Sequence, residues 1–241
     1  MRLAVDGEPD VVCLQEIPGW GLARLAEWSG YAAFATLAAR PSVGPLPSTS
    51  GIGRALTSLH PGVLRSAFSG QGNAILVAPR LRLLDEQVVT LNARAFRRRQ
   101  AQWLQLGVRA RLAWAKERRV CQVARLADGA RTLLVANMHT TGYRPDERLA
   151  DAELLRAFVF VDGLARPGEP VVVAGDFNVT RERSRTLHDV TAAEWGFSKA
   201  GSGIDHVLVR GLDVVAGPRR LPHAVDGVVV SDHAPVEIEV A

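Results

Sequence analysis

Short polar segments at the ends of apolar, strand-like runs constrain this chain more than any other feature of its sequence. Acidic, amide and imidazole side chains at strand ends can converge on one rim of a sheet without disturbing the core. A metal-assisted hydrolase needs this arrangement. The segments are Leu14-Gln15-Glu16, Asn137-Met138-His139, Gly175-Asp176-Phe177-Asn178, Ile204-Asp205-His206 and Ser231-Asp232-His233.

The size and composition of the chain are those of a globular protein with a sizeable core. Its 241 residues, 47% of them hydrophobic, are compatible with one domain spanning residues 1–241. No apolar run approaches the ~20 residues that cross a bilayer, and the N-terminus lacks the apolar core of a secretory signal. We therefore expect a soluble, cytoplasmic protein without a transmembrane segment, and no partner protein is predicted. Cys13 and Cys121 lie within predicted strands, where we expect small core residues.

The net positive charge of the chain has two explanations. A net charge of +4 and a pI of about 9.7 suit a polyanionic partner such as nucleic acid. However, Lys116 and Lys199 are the only lysines, so the excess of arginine also fits the codon bias of a GC-rich genome. The cluster Arg94, Arg97, Arg98 and Arg99 is either a phosphate grip or a solvated basic face.

Strand signals outnumber helix signals. Strands are predicted at 11–15, 73–78, 86–91, 119–126, 132–138, 171–175, 204–209 and 234–240. A further strand is predicted at 101–112, because Gln102, Leu104, Leu106 and Val108 alternate. Helices are predicted at 22–29, 145–165 and 183–190. The Gly/Pro-rich segment 40–72 is predicted to be a long surface loop that borders the site.

Together the polar segments resemble the endonuclease/exonuclease/phosphatase superfamily, the fold of deoxyribonuclease I. An isolated Asp-x-Asn is usually a turn that caps backbone amides, and each of the other segments has a similar structural explanation. Six such segments in the order of the family are a specific signature. They are residues 9–16, 72–76, 137–139, 175–178, 205–208 and 231–236.

The resemblance implies an α+β fold, a four-layer α/β/β/α sandwich of two mainly antiparallel sheets flanked by helices. It also implies hydrolysis of a phosphate ester by water, with Mg²⁺ as cofactor and Mn²⁺ as a possible substitute. Glu16 matches the metal-binding glutamate of the family, and a hard oxygen ligand suits Mg²⁺. Asp232 is a candidate for holding the metal or for positioning the neighbouring histidine.

The remaining roles also follow from the resemblance. His233 matches the histidine near the attacked phosphorus, and Asp205 matches the carboxylate that orients it. Asp176 matches the aspartate that orients or deprotonates water, and whether it or His233 is the base stays open. Asn178 is a candidate donor to a phosphate oxygen. His139 matches a second histidine that acts on the leaving oxygen, and Asn73 is a candidate on the substrate side.

One departure from the family concerns the first strand, which normally precedes the first helix and ends in a metal-binding Asn. Only fifteen residues precede Glu16, enough for the end of that helix at Arg2 to Val5 and a turn. Loss of a middle strand would leave backbone groups unpaired at ~1–3 kcal/mol each. We therefore expect that the sequence lacks its true beginning, rather than that the protein dispenses with the strand, and that metal affinity is reduced.

Three classes of function remain. Phosphodiester hydrolysis, in nucleic acid or in a small diester, is the first. A phosphomonoesterase acting on a phosphoinositide or a sugar phosphate is an alternative within the same chemistry. The second class is an inactive binding or scaffold protein that kept the fold. The third is a DNA-binding protein that uses the arginine cluster alone, with affinity that depends strongly on salt.

Overall fold

Two β-sheets packed face to face form the centre of the molecule. The structure, a computed structural model, describes residues 2–39, 42–43, 46–47, 49, 51, 70–225 and 227–241. In that part of the chain the first sheet contains β1 (Val11–Pro18), β5 (Gln71–Val77) and β2 (Ala32–Ala39), in this spatial order and antiparallel. The second sheet, also in spatial order, contains β10 (Ser198–Ser202), β11 (Asp205–Arg210), β9 (Val171–Asp176), β8 (Arg131–His139), β7 (Val120–Asp128) and β6 (Arg82–Thr90). Its strands are antiparallel except for the β8–β9 pair.

Three two-stranded ladders complete the described strands. The largest pairs β12 (Val214–Arg220) with β15 (Val236–Val240) and packs on the second sheet through Val236 and Ile238, which contact Val207 and Val209. The others pair β3 (Ser42–Val43) with β4 (Leu46–Pro47), and β13 (Ala224–Val225) with β14 (Val228–Val229).

The alternation of side chains along β5 explains why the first sheet is buried on both faces. Ile75 and Val77 point into the core between the sheets, whereas Ala74 and Leu76 point outward under Leu25 of a flanking helix. All five side chains are buried. Burial of each of the larger ones contributes about 1.5–3 kcal/mol, so the strand is fixed from both sides.

Helices cover the outer faces of both sheets. The longest, α5, presents Leu154, Phe158 and Val161 at helical spacing to Leu134 and Val173 on the second sheet. The molecule therefore has the predicted helix/sheet/sheet/helix layers. No helix within the described ranges is long and apolar enough to cross a bilayer. The helices are α1 (Arg2–Val5), α2 (Leu25–Ser29), α3 (Arg94–Trp103), α4 (Val108–Lys116), α5 (Arg148–Leu164) and α6 (Arg185–Val190), with 3₁₀ turns at Leu22–Arg24 and Arg181–Arg183.

The predicted strand at 101–112 is wrong. This segment contains the end of α3, a short connection and most of α4. Leu106 packs with Trp114 and Leu149 in a small helical core, with Leu104 partly buried against it, whereas Gln102 and Val108 are exposed, so the segment forms no sheet face. The sequence did not predict β2, β10 or β12. The predicted loop at 40–72 lies largely outside the described residues.

The other predicted elements are confirmed. The eight predicted strands correspond to β1, β5 to β9, β11 and β15, and α1 occupies Arg2–Val5 as expected.

β1 pairs with β5 on one side, and within the described part of the chain no strand pairs with its other edge. Cys121 is fully buried and Cys13 packs at the edge of the core between the sheets. Burial raises the pKa of both thiols, that of Cys13 to about 12.

Candidate active site

Three of the predicted site residues lie in one row across the second sheet. The parallel pairing of β8 and β9 places His139 beside Asp176, and the antiparallel pairing of β9 and β11 places Asp176 beside Asp205. Adjacent partners in register point to the same face of a sheet. Side chains alternate between the two faces along each strand, and this alternation places the row on the face that is turned toward the first sheet. The row therefore opens at the rim between the two sheets.

A glycine permits the middle strand of this row to reach its position. Gly175 has φ of +144°, which side-chain-bearing residues rarely adopt. A Cβ there would lie 1.9 Å from the carbonyl oxygen of Met138 on the neighbouring strand. The glycine therefore allows the close approach of β8 and β9 directly before Asp176.

His233 is held in the site by Asp205. Its Nδ1 lies 2.9 and 3.1 Å from the two carboxylate oxygens of Asp205, and its backbone N–H donates to Ser231 Oγ at 3.1 Å. Burial lowers the pKa of His233, but the hydrogen bond to Asp205 and the charges of Asp205, Asp176 and Asp232 outweigh it and raise the pKa. The hydrogen bond occupies Nδ1 and leaves Nε2 as the ring atom for another partner.

Asp176 and Asn178 form a tight turn after β9. The backbone N–H of Asn178 donates to Asp176 Oδ1 at 2.9 Å, and Asn178 adopts φ of +50°. Its Nδ2 donates to the carbonyl of Thr140 at 3.0 Å, which fixes the amide beside the row. Burial raises the pKa of Asp176 to about 6, assisted by the charges of Asp205 and Glu16 and opposed by the hydrogen bond from Asn178.

His139 lies against Arg119, which was not among the predicted site residues. Nη1 of Arg119 is 2.9 Å from His139 Nδ1 and 3.2 Å from Nε2. Burial lowers the pKa of His139 well below its ordinary 6.5, and Arg119 and His233 lower it further. The ring is therefore neutral near pH 7. Donation from Arg119 to the nearer Nδ1 leaves the ring proton on Nε2, which lies 3.7 Å from Asp176 Oδ2.

Glu16 approaches the same rim from the first sheet. A β-bulge between Leu14 and Ile17 interrupts the pairing of β1 with β5, and Glu16 within it has φ of +55°. Its side chain remains 58% exposed, with Oε1 3.9 Å from His139 Nδ1. Burial raises the pKa of Glu16, Arg119 opposes this, and the charge of Asp232 adds to it. The bulge thus directs one carboxylate across the gap between the sheets.

A buried asparagine fixes the two sheets relative to each other. Asn137 Nδ2 donates to the carbonyls of Leu14 and Ala74, both at 2.9 Å, and more weakly to Gln122 Oε1 at 3.4 Å. Its Oδ1 accepts from Gln15 Nε2 at 2.6 Å. The asparagine stands two residues before His139, and its partners include the two residues before Glu16. This network therefore sets the distance between those two site residues.

A buried glutamate supports the loop that follows β8. Glu153 Oε1 accepts from Trp114 Nε1 at 2.6 Å and from Thr141 Oγ1 at 2.8 Å, and Oε2 accepts from the Thr141 backbone N–H at 2.7 Å. Burial raises its pKa to about 7, although these hydrogen bonds oppose the shift. Because the neighbouring Thr140 carbonyl holds Asn178, Glu153 is a positioning residue for the site.

Two predicted residues stand apart from this cluster. Asp232 is exposed and acts on Glu16 and His233 through its charge. Asn73 is buried, and its Nδ2 donates to the carbonyl of Val120 at 3.4 Å. It lines a narrow cleft together with Arg119 and His139. His206, the residue after Asp205, is buried, and its Nε2 contacts the Val179 carbonyl at 3.0 Å.

The donor set at the rim suits a hard divalent cation. In the described part of the chain, one group of potential ligands has atoms within 4.8 Å of one another, namely Asp176, Asp205 and His233. Besides burial, the charges of Asp205 and Glu16 raise the pKa of Asp176, because these carboxylates at the rim repel one another. Several carboxylates with mutually unfavourable charges form the type of site that Mg²⁺ or Mn²⁺ stabilises.

The sequence contains signals for the residues that were missed. Asp128-Gly129 is a hairpin signal between β7 and β8, and the observed pairing of Asp128 with Arg131 extends to place Arg119 near His139. Glu153 lies four residues after Leu149 and four before Ala157, which makes it a member of the buried stripe of α5. A carboxylate in such a stripe indicates a buried, hydrogen-bonded group.

Comparison with known proteins agrees with this geometry. Residues 1–233 match the model of the Endonuclease/Exonuclease/phosphatase family. The chain belongs to this family. No curated protein matches it in sequence. Members of the family are hydrolases that act on phosphate esters, so the family identifies the chain as a phosphoesterase.

Solved structures share the family fold at low identity. A functionally unknown conserved protein from Enterococcus faecalis V583 is 16% identical with a TM-score of 0.65, over 100% of this chain and 88% of that one. An endonuclease/exonuclease/phosphatase from Bacteroides vulgatus is 15% identical with a TM-score of 0.63, over 100% and 87%. The human Nocturnin catalytic domain with bound sulfate is 14% identical with a TM-score of 0.60, over 87% and 73%. These similarities concern the fold.

Proposed function

We propose that this protein is a metal-dependent phosphodiesterase that cleaves a phosphodiester by attack of water on phosphorus. The observation that carries the proposal is the hydrogen-bonded Asp205–His233 pair beside Asp176, in register with His139. A binding module has no need of a carboxylate that fixes the orientation of a histidine. We also propose that residues 1–241 form a single domain, because the site combines residues from Glu16 to His233.

Each of these side chains has a role that follows from its contacts. Asp205 holds His233 through Nδ1, so that Nε2 donates to a phosphate oxygen and balances its charge. Asp176 accepts the proton of the attacking water as the new phosphorus–oxygen bond forms. The fixed amide of Asn178 retains a second N–H for another phosphate oxygen.

The leaving oxygen lies on the His139 side in this proposal. Neutral His139 donates a hydrogen bond from Nε2 to that oxygen as its bond to phosphorus breaks, and Arg119 adds a positive charge behind the ring. Asn73, in the cleft beside both residues, contacts the substrate. The leaving group takes its final proton from solvent.

The residues at the rim fit Mg²⁺, with Mn²⁺ as a substitute. Glu16 would hold the ion, with Asp232 as a second candidate, because both are carboxylates at the open side of the site. When bound, the ion supplies positive charge to the phosphate. Binding would also relieve the repulsion among the carboxylates at the rim.

Hydrolysis of bis-p-nitrophenyl phosphate and of supercoiled plasmid, with Mg²⁺ or Mn²⁺, tests the proposal. We expect turnover that EDTA abolishes and that His233→Ala and Asp205→Asn reduce by about a hundredfold or more. His188→Ala is the matched control, because that histidine is exposed on α6 and pairs there with Asp189. Absence of metal-dependent turnover, or equal loss in His188→Ala, would contradict the proposal. Faster hydrolysis of p-nitrophenyl phosphate would indicate a monoesterase.

A further inference from the structure

The charge of the molecule is concentrated in one helical hairpin. Residues 94–116, which form α3, α4 and their connection, contain six arginines and one lysine and no aspartate or glutamate. The rest of the chain holds 22 basic and 25 acidic residues, a net charge of −3. A compositional preference for arginine does not explain this segregation. We call residues 94–116 the basic hairpin.

Several guanidinium groups of the basic hairpin are available to an external anion. Arg97 and Arg111 have structural uses, because their Nε atoms donate to the carbonyls of Asn92 and Leu106. The remaining four side chains are exposed and form no hydrogen bond or ion pair within the described part of the chain. They belong to Arg94, Arg98, Arg99 and Arg109.

The basic hairpin also carries the most exposed large hydrophobic side chains of the described residues. Trp103 is 79% exposed, Val108 73% and Leu112 65%, and the next, Val229, is 62% exposed. Val108 and Leu112 are four residues apart on α4 and share a face, while Trp103 ends α3 at the connection. The core of the hairpin does not require them, since Ala101, Leu106, Ala110 and Trp114 fill it against α5.

We propose that the basic hairpin docks the protein on an anionic phospholipid surface. A bilayer interface accepts both features, because its phosphates attract arginine while Trp, Val and Leu side chains enter the boundary between head groups and acyl chains. A nucleic acid would use the arginines and could stack on Trp103, but it offers no comparable site for Val108 and Leu112. The combination of unpaired positive charge and exposed aliphatic side chains therefore favours the membrane.

The hairpin connects this surface to the active site. Asn92, just before it, accepts from the backbone N–H of Arg119, just after it, and Arg119 contacts His139. The ends of the basic hairpin are therefore adjacent to two site residues, Arg119 and His139. The proposal does not depend on the catalytic one, since vesicle binding is measured without turnover.

Co-sedimentation with vesicles tests this proposal on the full chain. We expect binding to vesicles that contain phosphatidylglycerol and little binding to phosphatidylcholine alone. Arg98→Gln with Arg99→Gln should weaken binding about 25-fold, or about fivefold per arginine near an anionic surface. Val108→Ser with Leu112→Ser should weaken it at least about tenfold, because two apolar side chains no longer leave water.

Matched controls exist on other helices. Leu155→Ser with Val159→Ser changes the same residue types on α5, where they are 49% and 57% exposed, and Arg185→Gln removes an exposed charge on α6. Both should bind as the wild type does. Equal binding to neutral and anionic vesicles, or no binding to either, would overturn the proposal. So would duplex DNA binding that the Arg98/Arg99 variant loses and the Val108/Leu112 variant keeps, because the surface would then serve a nucleic acid.

Discussion

Asn137→Ala removes the polar link between the two sheets and should be among the most destabilising single substitutions in this protein. The asparagine makes four hydrogen bonds, three of them between 2.6 and 2.9 Å. Its loss removes all four bonds, each of which contributes about 0.5–1.5 kcal/mol net, and releases Gln15 and Gln122. We expect a loss of about 4 kcal/mol in the free energy of unfolding.

Asn73→Ala is the matched control for this substitution. Asn73 is also buried, so both variants lose the same atoms from the interior, but it makes one long hydrogen bond of 3.4 Å. We expect this variant to lose about 1 kcal/mol. Urea unfolding followed by circular dichroism measures both, provided that the m-value stays constant. A difference of less than ~1 kcal/mol between the variants would refute the view that the Asn137 network joins the sheets.

Three further substitutions test individual contacts. Because the pKa of Glu153 rises from 4.5 to about 7 on folding, the folded state binds more protons in this window, and stability should fall by about 3 kcal/mol as pH rises through it. Glu153→Gln should remove that slope in urea unfolding between pH 5 and pH 8. Gly142→Ala places a Cβ 2.5 Å from Asn178 Oδ1; we expect turnover to fall at least about tenfold with stability nearly unchanged. Gly175→Ala, where the Cβ meets the Met138 carbonyl, should destabilise the protein by more than ~3 kcal/mol in the same unfolding assay.

The following results would contradict the predictions for Glu153 and for the two glycines. Parallel pH dependences of the wild type and Glu153→Gln would show that this carboxyl does not change protonation on folding. Full turnover in Gly142→Ala would mean that the position of Asn178 does not matter. Gly163→Ala, on the open surface of α5 with no atom near the added Cβ, is the control for both glycine variants and should be neutral or slightly stabilising.

Sequence patterning determined the elements and their faces. Val-rich runs at 171–175 and 204–209 became β9 and β11, and the period of two placed Asp176 and Asp205 on one face. These predictions depend on local sterics and on burial, which a short segment expresses by itself. The alternation at 101–112 misled the prediction because Leu104 and Leu106 lie in a connection between helices, where Leu106 is buried and Leu104 partly buried. Alternation does not distinguish this case from a strand.

Tertiary packing determined the partners within the site. The sequence indicated that His139, Asp176, Asp205, Asn178 and His233 carry the chemistry, but not that Arg119 contacts His139 or that Asn137 bonds to β1 and β5. Those contacts join residues far apart in the chain, so their distances depend on strand register, on the bulge at Glu16 and on the packing of the two sheets. The sequence by itself determined which side chains reach the rim, because strand periodicity is local. Only the tertiary structure decided their neighbours, charges and pKa values, because these depend on long-range packing.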